Sequence, residues 1–423
     1  MLDIVKYNTP QAEERLLAVS KRAGDTAAEV RGRVDEIISD IKARGFDAVS
    51  EWSLKLDKTP PRLIERAEAE AAYAACSKEL ITALENSARN IRDYQEKLVS
   101  KGHMWQSPDG GNVGFIVRPL GCVGMYVPGG TAAYPSTVLM TAIPAKTAGV
   151  GRLIMVTPPT EHLKNEVQAA ALISGVDEIW ALGGVQAVAA LAFGCGEIPR
   201  ADKIVGPGNA YVTEAKRSLF GLVDIDSTAG PSDIFVIADS TANPDFVAAD
   251  LLSQAEHDVL AGAVVASDSR ELLEAVNDRL AAQLKKLSRA DIAKTSLADY
   301  GISFLCSDMN EAVCAANRIA PEHLELMVKD PHALLDGIKN AGAIFLGAYS
   351  TEPLGDYMAG PSHVLPTSGA ARFFSPLGAD MFLKKQSVIE YSREVLSARK
   401  DEIIAFAECE GLTAHAEAVR GRF

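Results

Sequence analysis

The chain has 423 residues, 48% of them hydrophobic, and 56 Asp and Glu against 42 Lys and Arg give a formal net charge of −14. At about 150 residues per domain, this length favours roughly two to four domains with buried cores that need no disulfide framework. The acidic balance argues against nucleic acid or an anionic membrane as a partner, and no apolar run is long enough to span a bilayer.

The first hundred residues predict helices. Apolar residues at near-helical spacing run from Ala27 to Arg44, where Gly45 predicts the end of the helix, and a second helical pattern covers Glu65 to Val99. Asp109-Gly110-Gly111 then predicts a turn.

From Val113 onwards, short β-rich runs alternate with helical stretches. The first series predicts the strands Val123–Val127, Leu153–Val156, Glu178–Leu182 and Lys203–Val205, with helices from about Ser136, from about Glu161, after Gly183-Gly184 and after Gly206-Pro207-Gly208-Asn209. The second series predicts the strands Ile234–Ala238, Ala263–Ala266, Ile302–Leu305 and Ala343–Leu346, and the helices Phe246–His257, Glu271–Leu287 and Glu311–Ile319. Repeated β-α units predict mostly parallel sheets covered by helices, with ligands at the carboxyl ends of the strands.

We therefore predict an α/β fold with two Rossmann-like parallel-sheet units, a helical N-terminal segment and a small helical C-terminal domain. The predicted boundaries are 1–27 for the N-terminal segment, 28–125 with 232–375 for the first, discontinuous Rossmann-like domain, 126–231 for the second, and 376–423 for the C-terminal tail. Residues 355–378, rich in Gly, Pro and Ser, predict an ordered loop.

The N-terminus and the cysteines indicate a compartment. Residues 1–7 lack the basic and apolar segments of a signal peptide. The six cysteines are scattered and show no C-x-x-C spacing, which is typical of reduced thiols. We therefore expect a cytoplasmic protein without a cysteine zinc site.

Four segments hold most of the side chains that could carry chemistry, including four of the seven histidines: 253–258, 320–325, 354–363 and 410–417. In the first, Gln254 and His257 are three residues apart and share one face of a helix. An amide oxygen and an imidazole nitrogen can both bind a divalent metal. Taken alone, however, the spacing favours a helix end with polar caps.

The other three segments are also ambiguous when taken singly. Glu322 and His323 are adjacent groups that can serve two proton transfers, although a helix N-terminus would also favour a Glu there. Asp356 and His363 lie in a Gly- and Pro-rich segment that fits a cavity-lining loop and a plain surface loop about equally well. His415 alone predicts a surface residue on a tail helix. Together the four segments favour a metal site of His and carboxylate ligands.

A nucleotide site is only weakly indicated by the pattern. No intact G-x-G-x-x-G follows a predicted strand, because Gly206-Pro207-Gly208-Asn209 lacks the third glycine. Phosphate could still face backbone N–H groups at three strand-to-helix turns: Gly129-Gly130, Gly183-Gly184 and Gly206-x-Gly208.

Taken together, these segments resemble the histidinol dehydrogenase family. Further matching segments are 121–130, 183–187, 205–216 and 229–232, so the resemblance covers nearly the whole chain in order. It implies zinc-dependent, NAD-linked, four-electron oxidation of L-histidinol to L-histidine through L-histidinaldehyde, the last step of histidine biosynthesis. One Zn²⁺ per site and two NAD⁺ per turnover are implied. Two positions depart from the family pattern: Ser362, where Asn is usual, and Pro353, where a small residue is usual.

The resemblance also implies roles for individual residues. The expected zinc ligands are Gln254, His257, Asp356 and His415. The expected acid/base pair is Glu322 and His323. The expected substrate contacts are Ser232, Gln254, His257, His323, Asp356, Glu410 and His415, and the expected NAD contacts are Tyr126, Gln186 and Asn209. Residues 126–231 would bind NAD, and the C-terminal tail would cross to the partner of a homodimer, where His415 completes the neighbouring site.

Three alternatives remain open on the sequence alone. A dehydrogenase of the same fold could oxidise another small alcohol such as a sulfonated diol, although Glu410 and His415 favour a substrate with an amine and an imidazole. A zinc hydrolase on an α/β scaffold would need no nicotinamide. A catalytically silent assembly protein would have no use for the full set of titratable residues.

Overall fold

A computed structural model describes residues 2–21, 24–129, 134–159, 163–228 and 230–423. The chain divides into two compact units, Met1–Leu98 with Leu120–Phe382, and Val99–Pro119 with Leu383–Phe423. Among the described residues, no helix combines the length and the apolar character that crossing a bilayer requires.

The strands and helices follow one another along the whole chain. The strands are β1 (Asp3–Lys6), β2 (Arg62–Ile64), β3 (His103–Gln106), β4 (Asn112–Pro119), β5 (Cys122–Tyr126), β6 (Arg152–Thr157), β7 (Glu178–Ala181), β8 (Lys203–Val205), β9 (Asp224–Ile225), β10 (Asp233–Ala238), β11 (Gly262–Ser267), β12 (Gly301–Leu305), β13 (His323–Met327), β14 (Ala343–Leu346) and β15 (Leu383–Glu390). The helices are α1 (Pro10–Lys21), α2 (Gly24–Arg44), α3 (Phe46–Leu56), α4 (Arg66–Ala75), α5 (Lys78–Glu96), α6 (Pro135–Ala148), α7 (Asn165–Ser174), α8 (Gly184–Phe193), α9 (Ala210–Leu219), α10 (Pro244–Ala255), α11 (Arg270–Leu284), α12 (Ala290–Tyr300), α13 (Met309–Ile319), α14 (His332–Leu335), α15 (Glu352–Tyr357), α16 (Arg393–Cys409) and α17 (Thr413–Arg420).

The first unit contains a six-stranded parallel sheet, here the β10 sheet, in the order β1-β12-β11-β10-β13-β14. Side chains of β10 alternate between its faces: Ile234 and Val236 enter the core formed with α10 and α11, and Phe235 and Ile237 enter the core formed with α1 and α13. Helices cover both faces, so the strand is buried along its length, as is typical of parallel sheets.

A second six-stranded sheet, here the β5 sheet, lies in the same unit in the order β2-β7-β6-β5-β8-β9. It is parallel except for the edge strand β2, which runs antiparallel to β7. The chain passes from β5 through β6 to β7 on one side and then returns to β8 on the other. This reversal of strand order at β5 makes the carboxyl end of β5 the expected place for a dinucleotide.

The second unit is built on the antiparallel sheet β15-β4-β3. β4 and β15 pair along their full lengths, from Asn112 opposite Glu390 to Pro119 opposite Leu383. Helices α16 and α17 follow, and Arg399 of α16 forms an ion pair with Asp109 in the turn between β3 and β4.

The predicted mixed α/β fold with parallel sheets is confirmed, but several local predictions were wrong. The N-terminal segment begins with strand β1, and the helical pattern at 65–99 is two helices separated at Cys76 and Ser77. The C-terminal tail contains strand β15 before its two α-helices. β1 has only four residues, too few to show a period, and β15 is largely exposed, so neither carries a clear apolar alternation. The helix expected from about Glu161 begins at Asn165, with Lys164 as its non-helical N-cap, and Glu161 itself lies outside the described residues.

The four-part domain division stays a prediction. The packing of the N-terminal helices, however, differs from the grouping on which it was based. Residues 28–125 were grouped with the β10 sheet. In the structure Val34 and Ile37 of α2 and Val49 of α3 instead share a core with Ile154 and Trp180 of the β5 sheet. An amphipathic helix shows that it has a partner, but its sequence does not say which sheet that partner is.

Candidate active site

The predicted catalytic pair lies at the amino edge of the β10 sheet. His323 is the first residue of β13 and pairs with Ile234 near the start of β10, while Glu322 directly precedes the strand. Gln254 reaches the same edge because α10 returns from the carboxyl end of β10. The sequence pattern led us to expect ligands at the carboxyl ends of the strands, whereas these predicted site residues lie at the amino ends of β10 and β13. Pro321 and Glu322 lie in a short loop that leads directly into β13, so the helix start considered for this segment is wrong.

His323 is held by acceptors on one side of its ring. Nδ1 lies 2.9 Å from Oε1 of Gln254 and 3.3 Å from the carbonyl oxygen of Asp233. Nε2 has no hydrogen-bond partner among the described residues and lies 4.0 Å from Oδ1 of Asp356. Burial lowers the pKa of His323 to about 3, so the ring is neutral and its Nε2 lone pair is available.

Glu322 is fastened to the start of β10. Its backbone N–H donates to Oδ1 of Asp233 at 2.7 Å, and the N–H of Asp233 donates to its carboxylate at 3.3 Å. The Ser232 side chain, predicted as a substrate contact, hydrogen-bonds the same carboxyl group. Burial, reinforced by the charge of Asp233, raises the pKa of Glu322 well above its usual range, which makes its ionised form a stronger proton acceptor.

A group of ligand-type atoms gathers beside His323. One ligand atom each of His323, Glu352 and Asp356 lies within 4.8 Å of the other two. His257, half-exposed just after α10, brings Nε2 to 3.9 Å from Oε1 of Glu352. Burial raises the pKa of Asp356 to about 7 and that of Glu352 to about 8. Because a positive charge stabilises an ionised carboxyl group, a bound cation would favour the ionised form of both side chains.

The donor set fits a divalent metal. It offers imidazole nitrogen, carboxylate oxygen and the amide oxygen of Gln254, and the buried Nε2 of His323 is unpartnered among the described residues. Three of the four predicted ligands, Gln254, His257 and Asp356, lie on elements that converge here. Glu352 was not predicted as a ligand, because a Glu at the first position of a short helix is also explained by its favourable interaction with the helix dipole.

A pair of buried carboxyl groups contacts this ligand group through the backbone of Glu352. Glu325 on β13 hydrogen-bonds Asp250 on α10, and its Oε1 accepts the backbone N–H of Glu352 at 3.1 Å. Burial raises the pKa of both carboxyl groups, and the negative charge of Asp250 raises that of Glu325 further. No local sequence pattern predicts this pair, since the two residues lie far apart in the chain.

The loop after α15 joins this edge to the β5 sheet. Nε2 of His363 lies 3.4 Å from the hydroxyl of Thr137 on α6. Ser362, where the family usually has Asn, is buried and donates to the carbonyl of Met140 at 3.2 Å. Asn90 of α5 donates to the carbonyl of Met358 at 2.8 Å. His363 lies in the ordered loop predicted for this segment, whereas Asp356 lies on helix α15 and not in a loop.

The predicted NAD residues stand at the carboxyl edge of the β5 sheet. Tyr126 ends β5, and its hydroxyl accepts the N–H of Gly184 at 3.2 Å. Gln186, fully buried in the first turn of α8, donates to Oδ2 of Asp57 at 2.8 Å. Asn209 caps α9 by accepting the N–H groups of Tyr211 and Val212. Their location at strand-to-helix turns agrees with the pattern.

The pattern suggested that backbone N–H groups at these turns face phosphate, but three of these groups pair with side chains of the chain itself. The N–H of Gly183 donates to Asp57, that of Gly184 to Tyr126, and that of Gly206 to Asp226 at 2.6 Å. These groups are already satisfied within the chain, so they are not available to phosphate. Gly206 has φ +103°, and a Cβ there would collide with the carbonyl of Tyr126, which explains the glycine without a nucleotide. Gly130 and Ala229 lie outside the described residues.

The remaining two predicted residues belong to the second unit. Glu410 follows α16, and His415 is exposed on α17. Their contribution to zinc and substrate binding stays a prediction.

Comparison with known proteins gives one consistent answer. A family model described as Histidinol dehydrogenase matches residues 20–423. The chain is 46% identical over 427 residues to a histidinol dehydrogenase of Clostridium acetobutylicum, covering 100% of this chain and 99% of the relative. It is 47% identical over 423 residues to one of Bacillus subtilis, covering 99% of each chain.

Solved structures agree with the sequence relatives. The crystal structure of a histidinol dehydrogenase from Elizabethkingia anophelis matches with a TM-score of 0.93 and 36% identity, covering 99% of this chain and 98% of that one. An acetylating aldehyde dehydrogenase from Geobacillus thermoglucosidasius has a TM-score of 0.50 and 15% identity over 90% of this chain and 97% of that one, which shows a shared fold alone.

Proposed function

This chain belongs to the histidinol dehydrogenase family of oxidoreductases, and we propose that it oxidises L-histidinol to L-histidine through L-histidinaldehyde, the last step of histidine biosynthesis. The observation that carries the proposal is the meeting of Glu322 and His323 with the ligand group around Asp356 at one edge of the β10 sheet. Two bases next to a metal-type site suit an oxidation that must remove protons from an alcohol and then from water.

Zinc would be held by Gln254, His257 and Asp356, with His415 of the partner subunit completing the set. When bound, zinc supplies a positive charge that orients the nitrogens of the substrate, and NAD⁺ is the acceptor of hydride in each oxidation. The raised pKa values of Asp356 and Glu352 support a cation here, because a nearby positive charge relieves the cost of ionising buried carboxyl groups.

The first oxidation rests on His323. Both neighbours of Nδ1, Gln254 Oε1 and the Asp233 carbonyl, are acceptors, so Nδ1 carries the ring proton and Nε2 carries the lone pair. Nε2 then takes the proton of the alcohol as hydride departs from the carbon that bears the hydroxyl group. Because the ring is buried and its Nδ1 side is fixed, little reorientation is needed.

The second oxidation rests on Glu322. Its carboxylate removes a proton from the water that attacks the aldehyde, and the resulting hydrate gives up the second hydride. Ser232 and the N–H of Asp233 hold the carboxylate in place during this step. Two separate bases let the alcohol and the water be deprotonated by groups with different surroundings.

Coenzyme binding is assigned to the β5 sheet through Tyr126, Gln186 and Asn209. The fit is supported by the buried Oε1 of Gln186, which has no hydrogen-bond partner among the described residues. The tail crossing to a homodimer partner and a cytoplasmic location are further parts of the proposal. The location is supported by the six free cysteines.

The alternative of a same-fold dehydrogenase for a sulfonated diol finds no support in the family match or in the relatives described above. The deciding experiment counts NADH formed per molecule of L-histidinol consumed by the zinc-loaded protein. A four-electron oxidation yields two NADH with L-histidine as product. A yield of one, with aldehyde as the end product, or no NADH formation would refute the proposal.

A further inference from the structure

A carboxylate from outside the β5 sheet closes one of its turns. Asp57 follows the last residue of α3 and is half-buried. It accepts the side-chain N–H of Gln186 at 2.8 Å and the backbone N–H of Gly183. Since Gly184 N–H is taken by the hydroxyl of Tyr126 at 3.2 Å, the start of α8 is satisfied by Asp57 and Tyr126. A phosphate at this turn would therefore meet a carboxylate instead of free N–H groups.

A second, unsatisfied acceptor lies beside Asp57. Gln186 is fully buried, and its Oε1 has no hydrogen-bond partner within the described part of the chain. A Cβ on Gly184 would come within 2.7 Å of this oxygen, so Oε1 lies against the first residue of α8. A buried acceptor without a donor is costly, so this oxygen indicates a ligand that brings a donor.

The two acceptors define the chemistry of that ligand. An ionised Asp offers oxygen lone pairs only, and two of its hydrogen bonds leave further lone pairs unused. Paired with Gln186 Oε1, it suits a group that donates two neighbouring hydroxyls, which is a ribose diol. It disfavours any ligand that carries negative charge at the same place.

The position within the sheet selects one of the two riboses of a dinucleotide. The reacting half must approach the His363 side, where Thr137 of α6 lies after β5. Asp57 and Gln186 instead lie at the turn after β7, two strands away from β5 on the side of the sheet that the chain forms first. In doubly wound sheets the adenosine half lies on the first side of the reversal and the reacting half crosses it.

We propose that Asp57, together with Gln186, binds the 2′- and 3′-hydroxyls of the adenosine ribose of NAD⁺ and excludes the 2′-phosphate of NADP⁺. The inference rests on the proposed function, since it assumes that the β5 sheet binds the coenzyme. Asp57 lies before β5 (Cys122–Tyr126) in the chain, whereas the usual acidic residue follows the glycine-rich turn by about 20 residues, so that spacing does not reveal it.

The test compares two coenzyme fragments, ADP-ribose and 2′-phospho-ADP-ribose, by titration calorimetry on the full-length protein. The unaltered protein is expected to bind ADP-ribose at least about 100-fold more tightly. Asp57→Asn removes the charge and should lower that ratio about tenfold or more, whereas Asp57→Glu keeps the charge and should largely retain it. Asp47→Asn, at an exposed position of the same helix α3, is the matched control and should leave the ratio unchanged.

Two results would overturn the inference. One is equal affinity of the unaltered protein for both fragments, and the other is an Asp57→Asn variant that weakens both equally, because a purely structural role affects them alike. Asp57→Ser provides the same comparison if the Asn variant does not fold. The proposed function fails separately: discrimination between the fragments with no histidinol-dependent NADH would contradict the substrate assignment and leave the role of Asp57 intact.

Discussion

The Nδ1 nitrogen of His323 lies 2.9 Å from Oε1 of Gln254, which makes a proposed zinc ligand also the hydrogen-bond partner of the proposed base. The carbonyl of Asp233 at 3.3 Å accepts from the same nitrogen. A neutral amide and a carbonyl fix the tautomer of the ring without adding charge, so the ring stays neutral in its buried position.

Replacing Gln254 with Glu should change the pH dependence of the first oxidation. A carboxylate beside Nδ1 favours the imidazolium form and raises the pKa of His323. The proton-accepting form is then lost at a higher pH, so the acid limb of kcat/KM for histidinol should move upward by about one pH unit. Gln283→Glu on α11 adds the same charge away from the site and serves as control. An unmoved acid limb in the Gln254 variant would show that His323 is not the base.

The sequence predicted the elements better than their relationships. Apolar runs alternating with helical patterns revealed most strands of both sheets, because a parallel strand buried on both faces has a strong local signature. Strand β13 was missed because Pro321 and the adjacent charged residues resemble a helix start. The amino-edge location of His323 followed from that strand and could not be anticipated.

The residues of the candidate site likewise include some that were predicted from the sequence and some that were not. Gln254, Glu322 and His323 were predicted because the resemblance to a family assigns them, and no spacing rule alone would have selected them. Glu352 and the Asp250–Glu325 pair were not found, since their role depends on contacts between elements far apart in the chain. Local sequence encodes a helix or strand, whereas such contacts depend on the packing of the whole unit.

Glu322→Gln should separate the two oxidations. Gln keeps the size of the side chain and can still interact with Ser232, but it cannot accept a proton. The aldehyde step should therefore slow about 10²- to 10⁴-fold, while the alcohol step changes much less. Rapid mixing with NAD⁺ and either L-histidinol or L-histidinaldehyde measures each step, with Glu79→Gln on the exposed face of α5 as control. Wild-type aldehyde oxidation by the variant would refute the water-activating role.

Glu352→Gln should weaken metal binding even though Glu352 was not among the predicted ligands. Its Oε1 lies 3.9 Å from Nε2 of His257, and its other oxygen accepts the hydroxyl of Ser253 at 2.8 Å. Removing a negative charge from the cation site should lower zinc affinity by about tenfold. Competition with a chelator of known affinity measures this, and Glu274→Gln on the surface of α11 should have no effect. Equal affinities would place Glu352 outside the metal environment.

Glu325→Gln should make stability less dependent on pH. Burial and the charge of Asp250 hold the pKa of Glu325 above its usual 4.5, so the folded chain keeps a proton that the unfolded chain has lost above that pH. The free energy of unfolding of the wild-type protein therefore falls as pH rises from about 4.5 towards the raised pKa. Between about pH 5 and pH 8 the variant should gain on the order of 1–3 kcal/mol relative to wild type. Urea unfolding of the metal-free proteins tests this, and a constant difference across that range would contradict it.

Mixing two inactive variants should reveal whether the tail completes the neighbouring site. His415→Ala is expected to lose zinc and activity, and His323→Asn to lose activity alone. If His415 acts in the partner subunit, a mixed dimer has one site with both residues intact and one site with neither. Random assembly gives about half mixed dimers, so co-refolding equal amounts should restore about a quarter of wild-type activity. If His415 instead acts within its own chain, every site in the mixture lacks one residue and activity stays at the level of the separate variants.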